Sequence, residues 1–339
     1  MSWRIITADV MDGLKSLPDA SVHCCVTSPP FWGLRDYGVD GQLGLEPTPE
    51  AYVENMVRVF REVRRVLRDD GTLWLNLGDS YAANRSYQVS DGKHKVHDYG
   101  ESNAQSVPPG LKPKDLVGIP WRVAFALQAD GWWLRSDIIW AKPNPMPESV
   151  RDRPTKAHEY IFLLTKSARY FYDSDAVAED AVKGPSGSHF HTGKTAEHHL
   201  GRSSDKPRKQ DGHGRRHDGS NGRYDFANPA DTRNRRTVWT IATRPFAEAH
   251  FAVFPPELPE ICIKAECPKD GTVLDPFAGA GTTLMVALRL GRNAIGIELN
   301  PTYAEMARQR IDGDCPLFNR EDEAEAQRLY DAILARDLH

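Results

Sequence analysis

Two short stretches carry residues whose types and spacing could do chemistry. Near the start, an apolar run, Val22–Val26, leads into Thr27-Ser28-Pro29-Pro30-Phe31-Trp32. Paired prolines cannot continue a central strand, so the chain must leave the sheet in a rigid loop. The Ser28 hydroxyl and the main-chain carbonyls can accept hydrogen bonds from a flat amino group. Phe31 or Trp32 can stack on the ring that carries it. A nucleobase drawn out of a helix needs both an edge partner and a stacking face. Taken alone, the same residues also describe a plain proline turn with an exposed aromatic.

The other stretch, Val273–Thr283 (VLDPFAGAGTT), lies near the far end. An apolar run reaches Asp275, then Phe277, Gly279, Gly281 and Thr282, and a helical run follows to Leu290. This order reads as strand, ligand-binding turn and helix, in which small residues let a ligand approach the backbone and the helix start offers unpaired N–H groups. A dinucleotide fingerprint would carry a third Gly or Ala, and Leu284 stands there instead. A nucleoside ligand without a pyrophosphate fits better. Glu298 closes the next apolar run, Ala294–Ile297, where such folds set a carboxylate against a ribose hydroxyl. With Asp275, this favours S-adenosylmethionine.

The elements that must position these residues follow from periodicity. Strands are predicted at Trp3–Ala8, Val22–Val26, Thr72–Leu77, Trp132–Trp140, Glu159–Thr165 and Thr237–Ile241, the third entered by a turn at Asp69-Asp70-Gly71. A helix starts at Pro49 with Tyr52, Met56, Val59, Val63 and Val66 on one face. Further helices are read at Val10–Leu17, Leu116–Ala129 and Pro256–Ile263. Another is capped by Asn300, with Tyr303, Met306, Ala307 and Ile311 inward, and a charged one covers Glu321–Leu338. Gly33–Gly44 and residues 81–114 read as loops. Strands alternating with helices give an α/β fold.

The formal net charge of -4 leaves the chain without a general basic character. A nucleic-acid partner would need a local basic surface. One segment supplies it: between His191 and Thr240 there are eleven Lys/Arg against six Asp/Glu. Lys206, Arg208, Lys209, Arg215 and Arg216 are its densest cluster, and the segment is too polar to bury a core. The five cysteines show no zinc spacing, and no metal site is expected. Cys267, followed by Pro268, and Cys24 and Cys25, inside a strand, read as core or spacer residues. His158 beside Glu159 reads as a local hydrogen bond. No run is long and apolar enough to span a membrane.

TSPPF together with DPFAGAGTT resembles the DNA amino-methyltransferases of the restriction–modification type. Those enzymes carry a [D/N/S]-P-P-[Y/F] catalytic loop and an F-x-G-x-G cofactor loop. The resemblance spans the chain apart from about residues 81–114 and 180–236. The catalytic loop precedes the cofactor loop, which is similar to the β arrangement of that family.

The resemblance implies an S-adenosylmethionine-dependent methyltransferase fold, a mixed seven-stranded sheet with helices on both faces and a DNA-recognition insertion. Residues 1–167 would form the catalytic half, 168–236 a variable, partly mobile recognition region, and 237–339 the cofactor half. The strand order would begin with Thr272–Leu274, then Ala294–Ile297, Trp3–Ala8 and Val22–Val26, with the Trp132–Thr165 hairpin as the reversed edge. Asp9 would face the adenine of the cofactor, Glu298 its ribose and Asp275 its methionine end; Phe277, Gly279 and Gly281 would shape the pocket.

Ser28, Pro29, Pro30 and Phe31 would be catalytic. Trp32, Lys142, Asn144 and the basic cluster would contact double-stranded DNA. The first motif residue, serine, favours N4 of cytosine over N6 of adenine. S-adenosyl-L-homocysteine would be the product and the setting a bacterial or phage-encoded cytoplasmic protein. A homodimer and a cognate restriction endonuclease are partners the family admits. RNA or protein-amide methylation, or a non-catalytic DNA-binding relative, are the remote alternatives.

Overall fold

The computed structural model describes residues 1–82, 107, 110–180, 232–244, 255–315 and 319–320. Apolar runs that stop at a polar residue become strands, and Pro or Asn starts become helices. In chain order the elements are β1 (Ser2–Thr7), α1 (Val10–Lys15), β2 (Val22–Thr27), α2 (Pro49–Val66), β3 (Leu67–Leu77), α3 (Ile119–Ala129), β4 (Trp133–Ala141) and β5 (His158–Thr165). After these come β6 (Glu179–Asp180), β7 (Thr232–Arg233), β8 (Val238–Thr240), α4 (Glu257–Glu266), β9 (Thr272–Asp275), α5 (Thr282–Arg289), β10 (Asn293–Glu298), α6 (Pro301–Asp314) and β11 (Asn319–Arg320).

The main sheet runs β11-β1-β10-β9-β2-β3-β5-β4-β8. Among the described strands of this sheet only β5 is reversed: it pairs antiparallel with β3 and β4, and the other ladders are parallel. The seven strands from β1 to β4 are those the resemblance implies, but their order differs: β9 does not begin the series and instead lies between β10 and β2, so β2 pairs with β9 and not with β1. Short β11 and β8 extend them at either side. The β4–β5 hairpin is therefore not the outer edge, because β8 pairs with β4 through Trp140 and Trp239. The expected turn at Asp69-Asp70-Gly71 is instead a bulge within β3. The ladder moves from Val22↔Leu67 to Cys24↔Thr72, so β3 spends more residues than β2 over the same span.

Alternation along the strands sends successive residues to opposite faces. Cys25, Leu73 and Leu75 pack with α1, α2 and α3. Cys24, Val26 and Trp74 pack with α4, α5 and α6. Helices thus cover both faces, as a mostly parallel sheet requires. On α6 the Asn300 side chain accepts from the Thr302 N–H at 2.9 Å. Ala304, Ala307 and Ile311 are its buried residues, whereas Tyr303 and Met306 are only half-buried.

Met1–Val177 and Arg236–His339 form one compact unit, and Ala178–Arg235 another. The boundary expected at 168 lies later because the Asp173 N–H donates to the Ala265 carbonyl at 2.7 Å and Val177 is buried in the core. In the second unit β6 and β7 pair antiparallel, with Glu179 bridged to Arg233 at 2.9 Å. The basic cluster Lys206–Arg216, most of 81–114 and the expected helix at Glu321–Leu338 lie outside the described residues. Among the described residues no helix is long and apolar enough to cross a membrane.

Candidate active site

In a parallel sheet, loops that leave the carboxyl ends of adjacent strands meet at one edge. Here β9 and β2 are neighbours, with Cys25 paired to Leu274, so the two chemical stretches meet although 248 residues separate Thr27 from Asp275. Thr27 Oγ1 donates to Asp275 Oδ1 at 2.7 Å, Thr283 Oγ1 donates to Asp275 Oδ2 at 2.7 Å, and the Phe277 N–H donates to Oδ1 at 3.1 Å. Burial raises the Asp275 carboxyl to about 6, and these donors pull it back toward the ionised form. Asp275 therefore fastens the glycine turn to β2.

The turn itself needs glycine. Gly279 has φ 50 and Gly281 φ 73, conformations that L side chains rarely adopt. A Cβ at Gly281 would meet Ala307 Cβ at 3.1 Å, so this glycine also lets α6 approach. At Gly279 the nearest atom to an added Cβ is the Phe277 carbonyl oxygen, at 4.0 Å, so open space lies over the turn. Leu284 is buried, and its Cδ2 would lie 2.9 Å from a Cβ at Gly296. The third fingerprint position thus packs α5 on β10.

Glu298 ends β10 with both oxygens engaged. Oε2 accepts from the Gly279 N–H and Oε1 from the Asn300 N–H, each at 2.9 Å. Burial raises its carboxyl above the usual value, opposed by those N–H donors. Asp9 caps α1 by accepting from the Met11 N–H at 2.8 Å. Thr282 Oγ1 accepts from Arg310 Nη1 at 2.9 Å.

One cavity of about 570 Å³ is lined by residues of both stretches. Asp9, Asp275, Phe277, Gly279, Thr282 and Glu298 form one part of its wall, and Ser28, Pro29, Pro30 and Phe31 another. An S-adenosylmethionine site fits these residues. The glycine turn leaves room at the backbone, and carboxylates stand at the ends of β9 and β10 and just beyond β1. The thiols are unsuited to nucleophilic work: Cys24 and Cys25 are buried in β2 and pushed well above the usual thiol range, and burial pushes Cys267 to about 12.

The loop carrying Phe31 is fixed by its neighbours. Tyr52 Oη donates to the Pro30 carbonyl at 2.9 Å. A Cβ at Gly78 would sit 2.5 Å from Phe31 Cε2, so Gly78 makes room for that ring. Trp32 does not share the stacking role expected of it. Its ring is buried with α2, and its indole N–H donates to the Glu46 carbonyl at 2.9 Å. Gly33–Gly44, expected as a surface loop, supplies cavity wall through Leu34, Arg35, Tyr37, Val39 and Gln42. It is closed by the Gly33 N–H donating to the Gly44 carbonyl at 2.7 Å.

Lys142 and Asn144 also line the cavity, with different commitments. Lys142 Nζ is ion-paired with Glu159 and lies 4.3 Å from the Trp140 ring centroid. The Asn144 side chain is used on both ends by the Thr243 backbone: Nδ2 donates to its carbonyl at 3.1 Å and Oδ1 accepts from its N–H at 2.9 Å. It ties two loops together and has little left for a base. Glu159 does not make the local pair with His158 that their adjacency suggests. It accepts from Asn76 Nδ2 at 3.1 Å, and Asn76 Oδ1 accepts from Ser28 Oγ at 3.0 Å. His158 packs edge-on against Tyr160. Asn76 gives no sequence signal, because a lone Asn in an apolar strand is identifiable only once β3 is seated between β2 and β5.

A DNA methylase family model, of the N6/N4 type, matches residues 22–309. The type II methyltransferase M.Cfr9I of Citrobacter freundii is 45% identical over 311 residues, covering 91% of this chain and 88% of that protein. M.SmaI of Serratia marcescens is 46% identical over 311 residues and 91% of each chain. Among solved structures, a DNA modification methylase of Thermus thermophilus complexed with S-adenosyl-L-methionine superposes with a TM-score of 0.55 at 25% identity, covering 94% of this chain and 96% of that one. The cytosine-N4-specific PvuII DNA methyltransferase shares the fold, with a TM-score of 0.58 at 19% identity over 99% and 93% of the two chains.

Proposed function

Since the chain belongs to the N6/N4 DNA methylase family, we propose that it is a type II methyltransferase acting on N4 of cytosine in double-stranded DNA. The observation that carries this reading is the Ser28 hydroxyl on the wall of the cavity that also contains the cofactor turn. When bound, S-adenosylmethionine supplies an electrophilic methyl group on a sulfonium sulfur.

The protein's part is orientation and exclusion of water. Ser28 Oγ and the Pro29 carbonyl accept from the target amino group, so its nitrogen lone pair is free to face the methyl donor. Phe31, backed by Gly78, offers a stacking face. Asp9, Phe277, Gly279, Gly281, Thr282 and Glu298 hold the cofactor, with Asp275 toward its methionine end. Transfer by direct displacement needs no covalent enzyme–base intermediate, which accords with the buried thiols. The basic cluster Lys206–Arg216 supplies phosphate contacts, and the segment between the two halves reads the site. A cytoplasmic setting and a cognate endonuclease complete the reading.

The test is to treat double-stranded DNA with the protein and S-adenosylmethionine and analyse its nucleosides by mass spectrometry. N4-methylcytosine is the expected product. N6-methyladenine would overturn the choice of base.

A further inference from the structure

Position 28 does not act alone. Asn76, at 3% exposure, sits one residue before the end of β3. Its amide nitrogen donates to Glu159 Oε2 at 3.1 Å and to the Tyr160 carbonyl at 3.2 Å. A carboxylate and a main-chain carbonyl only accept, so the reversed amide would set oxygen against oxygen twice. The Lys142 ion pair holds Glu159 in place from its other oxygen. The amide oxygen of Asn76 is therefore the atom turned to Ser28, 3.0 Å from Oγ, and it can only accept.

We propose that Asn76 is a positioning residue that, oriented by Glu159 and the Tyr160 carbonyl, accepts the hydrogen bond of the Ser28 hydroxyl and leaves the Ser28 oxygen lone pairs to accept from the target amino group. This rests on the reading of Ser28 as the contact to that amino group. A freely rotating serine would spend part of its time offering its proton to the amino group, an orientation that competes with the needed one. The tie to Asn76 removes that orientation before substrate arrives.

The same geometry makes Asn76 a selector for the first residue of the motif. Whatever stands at position 28 must donate to an acceptor oxygen about 3.0 Å away. A serine hydroxyl does so while still accepting from substrate, but an ionised aspartate has no proton to give. The requirement for serine thus comes from β3 and β5 as much as from the loop.

The experiment is a double-mutant cycle of Ser28→Ala and Asn76→Ala in the full chain, read as single-turnover transfer of labelled methyl groups into DNA. Asn76→Ala is expected to slow transfer about tenfold when Ser28 is present, the worth of one directed hydrogen bond. It is expected to change transfer by less than about twofold when Ser28 is already alanine. The same fold-loss in both backgrounds would mean that Asn76 acts on the fold alone, and would overturn the proposal.

Ser28→Asp gives a readout that does not depend on how Asn76→Ala folds. Only the protonated carboxyl can donate to Asn76 Oδ1. Transfer by this variant, relative to wild type, is expected to rise as pH is lowered; a flat profile or a rise toward alkaline pH would overturn the proposal. Label is counted whichever base carries it, so a wrong choice of base leaves both outcomes readable. Absence of transfer by the wild-type protein would instead defeat the functional reading.

Discussion

The turn after β9 and the loop after β2 lie on neighbouring strands at one end of the sheet, yet they are held in opposite ways. The glycine turn, proposed to hold the cofactor, is held by its own residues and the adjoining strand ends. Asp275 takes hydrogen bonds from Thr27, Thr283 and Phe277, and Glu298 takes N–H donors from Gly279 and Asn300. The Ser28–Phe31 loop, proposed to be catalytic, is held from outside, by Tyr52 on α2, the space at Gly78, and an Asn76–Glu159–Lys142 chain from β3, β5 and the loop after β4. A site for an invariant small molecule can be built locally. A site that must receive part of a large polymer needs an open mouth, and so draws its support from behind.

Substitutions that touch one region and spare the other sharpen this contrast. The largest effect is expected from Gly78→Ala. Its added carbon would lie 2.5 Å from the Phe31 ring and displace the ring by about 1 Å, lowering kcat roughly 100-fold. Calorimetry should show cofactor affinity unchanged. Equal damage to both would mean the two regions are mechanically one.

Glu298→Ala makes the reverse test. If Glu298 holds the cofactor ribose as proposed, its loss should weaken S-adenosylmethionine binding by about 2 kcal/mol, roughly 30-fold. Because burial raises the Glu298 carboxyl, wild-type affinity should fall as pH is lowered through that raised value. The variant should lose this pH dependence, which titration calorimetry across a pH series would reveal.

Thr27→Val, at the bond joining the regions, should have the smallest effect. Burial sets the Asp275 carboxyl near 6, above its unfolded value of about 3.9. Its ionisation therefore opposes folding: the contribution is fully favourable below the unfolded pKa and is lost as pH rises through about 6. Thr27 stabilises the ionised form, so removing it should cost about 1–2 kcal/mol at about pH 8 and less at about pH 5. Urea unfolding at the two pH values checks the difference.

Legibility in the sequence divides along the same line. The geometry of Val273–Thr283 and Glu298 is readable in short spacing, because a glycine turn and the next strand's end are fixed by local chemistry. The core strands are also readable, since each apolar run ends at its loop, but their order is not, because β9 takes its place between β10 and β2 only through long-range pairing. Asn76 and Glu159 are not, because their meaning arises only when antiparallel β5 sets Tyr160 opposite Leu77 and Ile161 opposite Asn76. Trp32 misleads for a related reason. Neighbouring aromatics look alike in sequence, and only α2 decides that Phe31 lines the cavity while Trp32 fills the core. The bulge at Arg68–Gly71 resembles a turn because the same residues serve either.

The central claim is that Ser28 receives the base and the glycine turn holds the methyl donor. Ser28→Ala, measured by calorimetric titration of S-adenosylmethionine beside a single-turnover transfer assay, tests it most directly. The account predicts a loss of transfer of roughly 100-fold with cofactor affinity within about twofold of wild type. An equal loss of both would contradict it.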